Sequence, residues 1–196
     1  MLIKQLLVII LLALLAACAG VTPPPAAKAP PAAEPKVDPK AAAAYEVAVA
    51  TMKDGDDAKA EKLFQQMTRD FPAYSGPYTN LGIIYWRAGD EAKAEAAFKH
   101  SLDINANNAV SLNYLGMISR RQGQFKEAAD YYRQALQIDP DYAYAHRNFG
   151  ILLELYMGKL DEALAHYKRY QALTEDEDKE VTKWIVDLGR RTKAKN

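Results

Sequence analysis

The chain has 196 residues, 49% of them hydrophobic, and its 25 Lys and Arg balance its 25 Asp and Glu. A net charge near zero offers no general attraction to nucleic acid, which excludes a non-specific polyanion binder. A single cysteine rules out an internal disulfide, so a folded core must hold by packing alone.

Residues 1–17 have the layout of a signal peptide: Lys4 as the only charge, the apolar run 6–15, then the small residues Ala16 and Ala17. The sole cysteine, Cys18, follows directly. An apolar run of about 12 residues is too short to cross a bilayer, which takes roughly 20, so an uncleaved span is disfavoured. A plain secretory leader with an incidental cysteine is the other alternative. Leu15-Ala16-Ala17-Cys18 resembles the lipobox of bacterial lipoproteins. That resemblance implies cleavage before Cys18, acylation of its thiol and membrane attachment through several acyl chains, an effectively permanent anchor. Ala19 stands where an inner-membrane retention signal commonly has aspartate, which implies the bacterial outer membrane, with the body facing the periplasm.

Residues 18–40 read as the lipidated cysteine and a tether. Seven of the ten prolines lie here, at 23, 24, 25, 30, 31, 35 and 39, mixed with alanine and a few charges. Such a stretch has little to bury and favours extended polyproline geometry, reaching up to roughly 70 Å.

Beyond Lys40 the sequence repeats with a 34-residue period: 41–74, 75–108 and 109–142, followed by 143–177 with one extra residue. The second block has Tyr78, Leu81-Gly82, Tyr85, Gly89-Asp90, Ala94, Phe98 and Ser101. The third repeats these slots as Leu112, Leu115-Gly116, Gly123, Ala128, Tyr132 and Ala135, and the fourth as His146, Phe149-Gly150, Gly158, Ala163, Tyr167 and Tyr170. The first has Ala44, Val47-Ala48, Gly55, Ala60, Phe64 and Met67. Apolar residues three and four apart describe one face of a helix, so each block predicts two helices, parted at Gly55, Gly89, Gly123 and Gly158. Asp56 and Asp90 are placed to cap the second helix of their blocks. Gly82, Gly116 and Gly150, with Ala48 in the first block, put small side chains where the paired helices cross. The extra residue between Gly150 and Gly158 lengthens either the first helix or the turn.

These motifs resemble the tetratricopeptide repeat, a helix-turn-helix unit that stacks into a solenoid. The resemblance implies an all-α, right-handed solenoid of four repeats. Thr174 with Glu177 three residues later reads as a capping box opening a last helix, whose Val181, Trp184, Ile185 and Leu188 would lid the final repeat. The apolar face stops at Leu188, so Gly189 and residues 190–193 read as a frayed basic tail within the segment 178–196.

No catalytic or metal-binding constellation is legible, and no cofactor is expected. His146 sits in a packing slot, while His100 and His166 fall on second helices of different repeats. No glycine-rich phosphate loop appears, so binding is expected rather than an enzyme; an envelope enzyme or ligand carrier is the weaker alternative. In the family resembled, the first helix of each repeat lines a concave groove that receives peptides. Carried over by alignment, that implies Tyr45 in the first repeat and Thr79, Ile83, Trp86 and Arg87 in the second. In the third it implies Asn113, Met117, Arg120 and Arg121, and in the fourth Tyr144 and Arg147. Apolar anchors would combine with guanidinium groups suited to carboxylates. The resemblance extends to outer-membrane tetratricopeptide lipoproteins, among them pilotins for type IV pilus secretins and adaptors that gather peptidoglycan hydrolases.

Overall fold

The computed structural model describes residues 38–175 and 178–194, which form nine α-helices and no strand. The leader, Cys18 and the tether through residue 37 lie outside the described residues. In chain order the helices are α1 (Pro39–Lys53), α2 (Asp57–Asp70), α3 (Ser75–Arg87), α4 (Glu91–Ile104), α5 (Ala109–Arg121), α6 (Phe125–Ile138), α7 (Ala143–Leu155), α8 (Leu160–Leu173) and α9 (Lys179–Lys193). Successive helices pack as antiparallel pairs: α1 with α2, α3 with α4, α5 with α6 and α7 with α8. Each pair stacks on the next, and α9 closes the array against α8.

Turn chemistry sets these boundaries. Gly55, Gly89, Gly123 and Gly158 all have positive φ, between 66° and 87°, a backbone state that costs a side-chain-bearing residue strain. Asp56 and Asp90 then accept backbone N–H bonds from Lys59 and Lys93, at 3.0 and 3.1 Å, and start α2 and α4. The extra residue of the fourth block lies in the turn: α7 has the same 13 residues as α3 and α5, and residues 156–159 join it to α8.

Within each pair one aromatic ring from the second helix seals the crossing. Phe64, Phe98, Tyr132 and Tyr167 are almost fully buried at equivalent positions of α2, α4, α6 and α8. A Cβ added at Gly82, Gly116 or Gly150 would come within 2.6–2.7 Å of the ring of Phe98, Tyr132 or Tyr167. The glycines therefore seat a ring face rather than a second backbone. Each buried ring contributes about 1.5–3 kcal/mol of transfer free energy.

Two expectations for the C-terminal region are corrected. Asp178, not Thr174, caps α9, its carboxylate accepting the N–H groups of Glu180 and Val181 at 3.1 and 3.2 Å. The Thr174 hydroxyl instead donates back to the carbonyls of Tyr170 and Gln171 at the end of α8, while residues 176 and 177 lie outside the described residues. Nor does the chain fray after Leu188. The helix runs through Gly189 to Lys193 because Thr192 is buried and Arg191 holds Asp187 and Glu154 at 3.2 and 2.8 Å.

Curvature follows from which helices meet across the junctions. First helices of successive repeats touch directly, α3 with α5 and α5 with α7, whereas among the described residues the second helices make no comparable contact. A stack crowded along one edge curves towards it, so α1, α3, α5 and α7 line the inner face.

Candidate functional site

The inner face divides into a closed half and an open half. At the junction of the first two repeats, Arg87 at the end of α3 pairs with Asp57 at the start of α2, 3.2 Å apart. One repeat on, Arg121 at the end of α5 pairs with Glu91 at the start of α4, again at 3.2 Å. The same 30-residue offset in the fourth repeat falls on Leu155 and Phe125. The ion pair is replaced there by apolar side chains. Leu155 is 65% exposed, and the half-exposed Tyr156 ring lies on Phe125 with centroids 4.7 Å apart. Tyr144, on the first turn of α7, is 61% exposed. Large apolar side chains held in water at one end of a concave face are the ordinary mark of an interaction surface.

Two guanidinium groups accompany them. Arg120 lies 6.0 Å over the Tyr156 ring, and Arg147 lies between the rings of Tyr170 and Trp184, at 6.0 and 5.6 Å. Among the described residues neither has a carboxylate partner, and the Nε of each is buried without an acceptor. The Tyr132 hydroxyl is similarly enclosed, with Arg120 beside it; burial pushes it up to about 12, against a lowering by Arg120. Nearby, Tyr167 donates to Glu154 at 3.0 Å, and Arg191 holds the other Glu154 oxygen at 2.8 Å. Burial first, then the Glu154 charge, raises the Tyr167 pKa, so this phenol remains a donor. The charges of Arg120 and Arg147 thus go unmatched by any carboxylate among the described residues, and the terminal N–H groups, not the buried Nε, are what a carboxylate or carbonyl of another molecule would meet.

The family profile of the tetratricopeptide repeat matches residues 78–141 and 107–176, half of the chain. The chain belongs to the tetratricopeptide repeat family. Solved structures agree in fold. PilF of Pseudomonas aeruginosa aligns at TM-score 0.68 and 18% identity over 79% of this chain and 69% of that one. MamA of Desulfovibrio magneticus RS-1 aligns at 0.64 and 16% over 81% and 88%. A thermophilic tetratricopeptide protein of Thermus thermophilus aligns at 0.61 and 23% over 76% and 80%. No curated protein matches the chain.

The tetratricopeptide alignment placed eleven side chains in the groove, and the structure sorts them. Tyr144, Arg147 and Arg120 lie in the open half. Arg87 and Arg121 reach solvent but are paired, and Arg121 also lies 5.0 Å over the Trp86 ring, itself edge-on to Tyr114. Ile83 and Met117 are half-buried against the apolar cores between repeats. The Tyr45 hydroxyl is taken by Asn80 at 2.8 Å.

Thr79 and Asn113 do not face the groove. Thr79 is buried among Ser101, Ser111 and Asn108, with its hydroxyl 2.8 Å from Ser101 Oγ and accepting from Asn108 Nδ2 at 2.8 Å. Asn113, 2% exposed, accepts from Asn148 Nδ2 at 3.0 Å. Both are spent on satisfying buried polar groups between repeats, which leaves nothing to offer a partner.

The structure also joins two histidines that lie 20 residues apart. His146 Nδ1 and His166 Nδ1 are 2.8 Å apart, and His146 Nε2 is 3.0 Å from the Pro140 carbonyl. That carbonyl only accepts, so His146 carries its proton on Nε2, and its Nδ1 accepts a hydrogen bond donated by His166 Nδ1–H. Among the described residues no group of three or more His, Cys, Asp and Glu side chains is placed to hold a metal ion.

Proposed function

We propose that this chain is a lipid-anchored scaffold of the bacterial envelope, attached to the outer membrane through Cys18 and holding a protein partner on its inner face in the periplasm. The observation that carries the reading is the open half of that face. Tyr144, Leu155 and Tyr156 stand in solvent beside Arg120 and Arg147, whose charges have no carboxylate among the described residues. At the position where the first two junctions use ion pairs, the third spends exposed apolar side chains, a stability cost that contact with a partner offsets. The matching partner is a polypeptide segment with apolar side chains next to a carboxylate.

The lipobox and the proline-rich tether support a location where the repeats are held away from a bilayer. The sequence resemblance to pilotin-type lipoproteins makes assembly of an envelope machine, such as a type IV pilus or its secretin, the assignment taken here. PilF is alike in fold only and adds nothing to the choice of machine.

Cross-linking in intact cells tests the face. The native chain should capture a partner that Arg120→Glu/Arg147→Glu loses, and equal capture by both would place the partner elsewhere. For the anchor, the native chain should incorporate palmitate and Cys18→Ser should not; continued labelling of that variant rejects it.

A further inference from the structure

The two ends of the solenoid are finished differently. At the C-terminal end α9 turns Val181 and Leu188 into the core and shows Lys183, Val186, Asp187 and Arg190 to solvent, one half-exposed apolar side chain among three charged ones. At the N-terminal end α1 is outermost among the described residues. Its inner face buries Ala41, Ala48 and Thr51. Its outer face shows Glu46 and Lys53 beside a seam of five exposed residues, Lys40, Ala43, Val47, Ala50 and the capping Asp54, Val47 by 56%.

These five follow each other at alternating steps of three and four residues, the spacing that keeps one seam along a helix facing a second helix. The middle of the seam is apolar and the ends are charged with opposite sign. Among the described residues neither the Lys40 ammonium nor the Asp54 carboxylate has an ion-pair partner. Lys40 and Asp54 each stand seven residues from Val47, about 10.5 Å along the axis on either side.

From this we infer that two copies of the chain associate through α1 in an antiparallel, two-fold arrangement centred on Val47. A two-fold axis through Val47 sets Lys40 of each copy against Asp54 of the other, so both charges are met twice; Glu46 of each copy flanks the axis, the one like-charge approach of the arrangement. A parallel arrangement sets Lys40 on Lys40 and Asp54 on Asp54, which charge repulsion opposes. Ala43 and Ala50 allow close approach of the helix axes, and Val47 packs on its own copy. An interface mapped onto itself in this way closes at two subunits and does not propagate. It also leaves the inner face of each copy free, so this association and partner binding are independent.

The test uses the full chain in detergent, followed by sedimentation equilibrium across a concentration series. The native chain should show a reversible monomer–dimer equilibrium. Lys40→Glu and Asp54→Lys should each weaken it by roughly fivefold or more, because each turns an attraction into a repulsion at both ends of the seam. Lys40→Glu/Asp54→Lys in one chain should restore it, since the pairing is only exchanged. Val47→Cys should cross-link to itself on oxidation, whereas Ala165→Cys, on the exposed side of α8, should not. A native chain that stays monomeric throughout, single variants as tight as native, or a double variant that is not restored overturns the inference. All these positions are exposed, and an unchanged far-ultraviolet circular dichroism spectrum confirms that the variants fold.

Discussion

Gly116→Ala and Gly189→Ala make the same chemical change in the middle of a helix and should move stability in opposite directions. In an unobstructed helix, alanine in place of glycine gains about 0.8–1 kcal/mol from backbone entropy and helix propensity. Gly189 in α9 meets that condition, since an added Cβ finds nothing within 4 Å. At Gly116 the Cβ would lie 2.7 Å from Tyr132 Cε1. The ring must retreat by about 0.7 Å to reach ordinary contact, yet Tyr132 is fully buried between α5 and α7. Overpacking of this kind costs about 1–3 kcal/mol, and here it also strains the seat of the ring that closes the repeat. After the propensity gain, Gly116→Ala should be destabilising by roughly 1–2 kcal/mol, a loss of about 2–8 °C in melting temperature. Urea unfolding followed by circular dichroism provides the stability comparison, with the m value watched for loss of cooperativity along the repeat array. The decisive control is Gly116→Ala in a Tyr132→Leu background, where the penalty should shrink. If Gly116→Ala stabilises as Gly189→Ala does, the ring-on-glycine account is wrong.

Three further outcomes follow from the geometry. Burial, and then His146, holds His166 at about 4 in the folded chain against 6.5 for the free group. Between those values the unfolded chain binds a proton that the folded one does not, so stability is full above pH 6.5 and declines as pH falls towards 4. Discounted for the part of the ring that reaches water, the loss is about 1–2 kcal/mol; urea midpoints at pH 7 and 4.5 measure it, and His166→Phe should flatten the difference. Asp178→Ala should cost about 1 kcal/mol and red-shift Trp184 fluorescence as α9 loosens, whereas Thr174→Ala should leave that spectrum near native. Leu155→Ser should weaken partner cross-linking while moving the melting temperature by less than about 2 °C, because that side chain is already largely in water.

What the sequence disclosed was local. The 34-residue period, the left-handed glycines and the caps at Asp56 and Asp90 are written in neighbouring residues, so they could be read in order. Thr174 misled because the capping box is a pattern that two adjacent helix ends can both use; the hydroxyl closes α8, and Asp178 is nearer the start of α9. Gly189 looked like a stop, but in the structure it faces open space on a helix pinned on both sides by Arg191 and Thr192. Thr79 and Asn113 occupy groove slots by alignment, yet both are short enough to be captured by polar neighbours across a junction, and slot number carries no information about that. The pairing of His146 with His166 and the exchange of an ion pair for Leu155 and Phe125 depend on which helices meet. Only the second of these had a signal, the break in the Arg–acid spacing at the fourth repeat.

The two kinds of seam in this array respond to different solvents. Rings seated on a small residue, Ala48 in the first hairpin and glycine in the other three, close each hairpin privately and are indifferent to added salt, whereas Arg87 with Asp57 and Arg121 with Glu91 are half-exposed pairs that counter-ions weaken. The third joint lacks a pair at that position but is bridged by Arg169 of α8 with Asp141, and α9 is tied to α7 by Arg191 with Glu154. Brine would therefore loosen the joints along the whole spiral, so that ionic strength alters how far the bow opens without unfastening any hairpin.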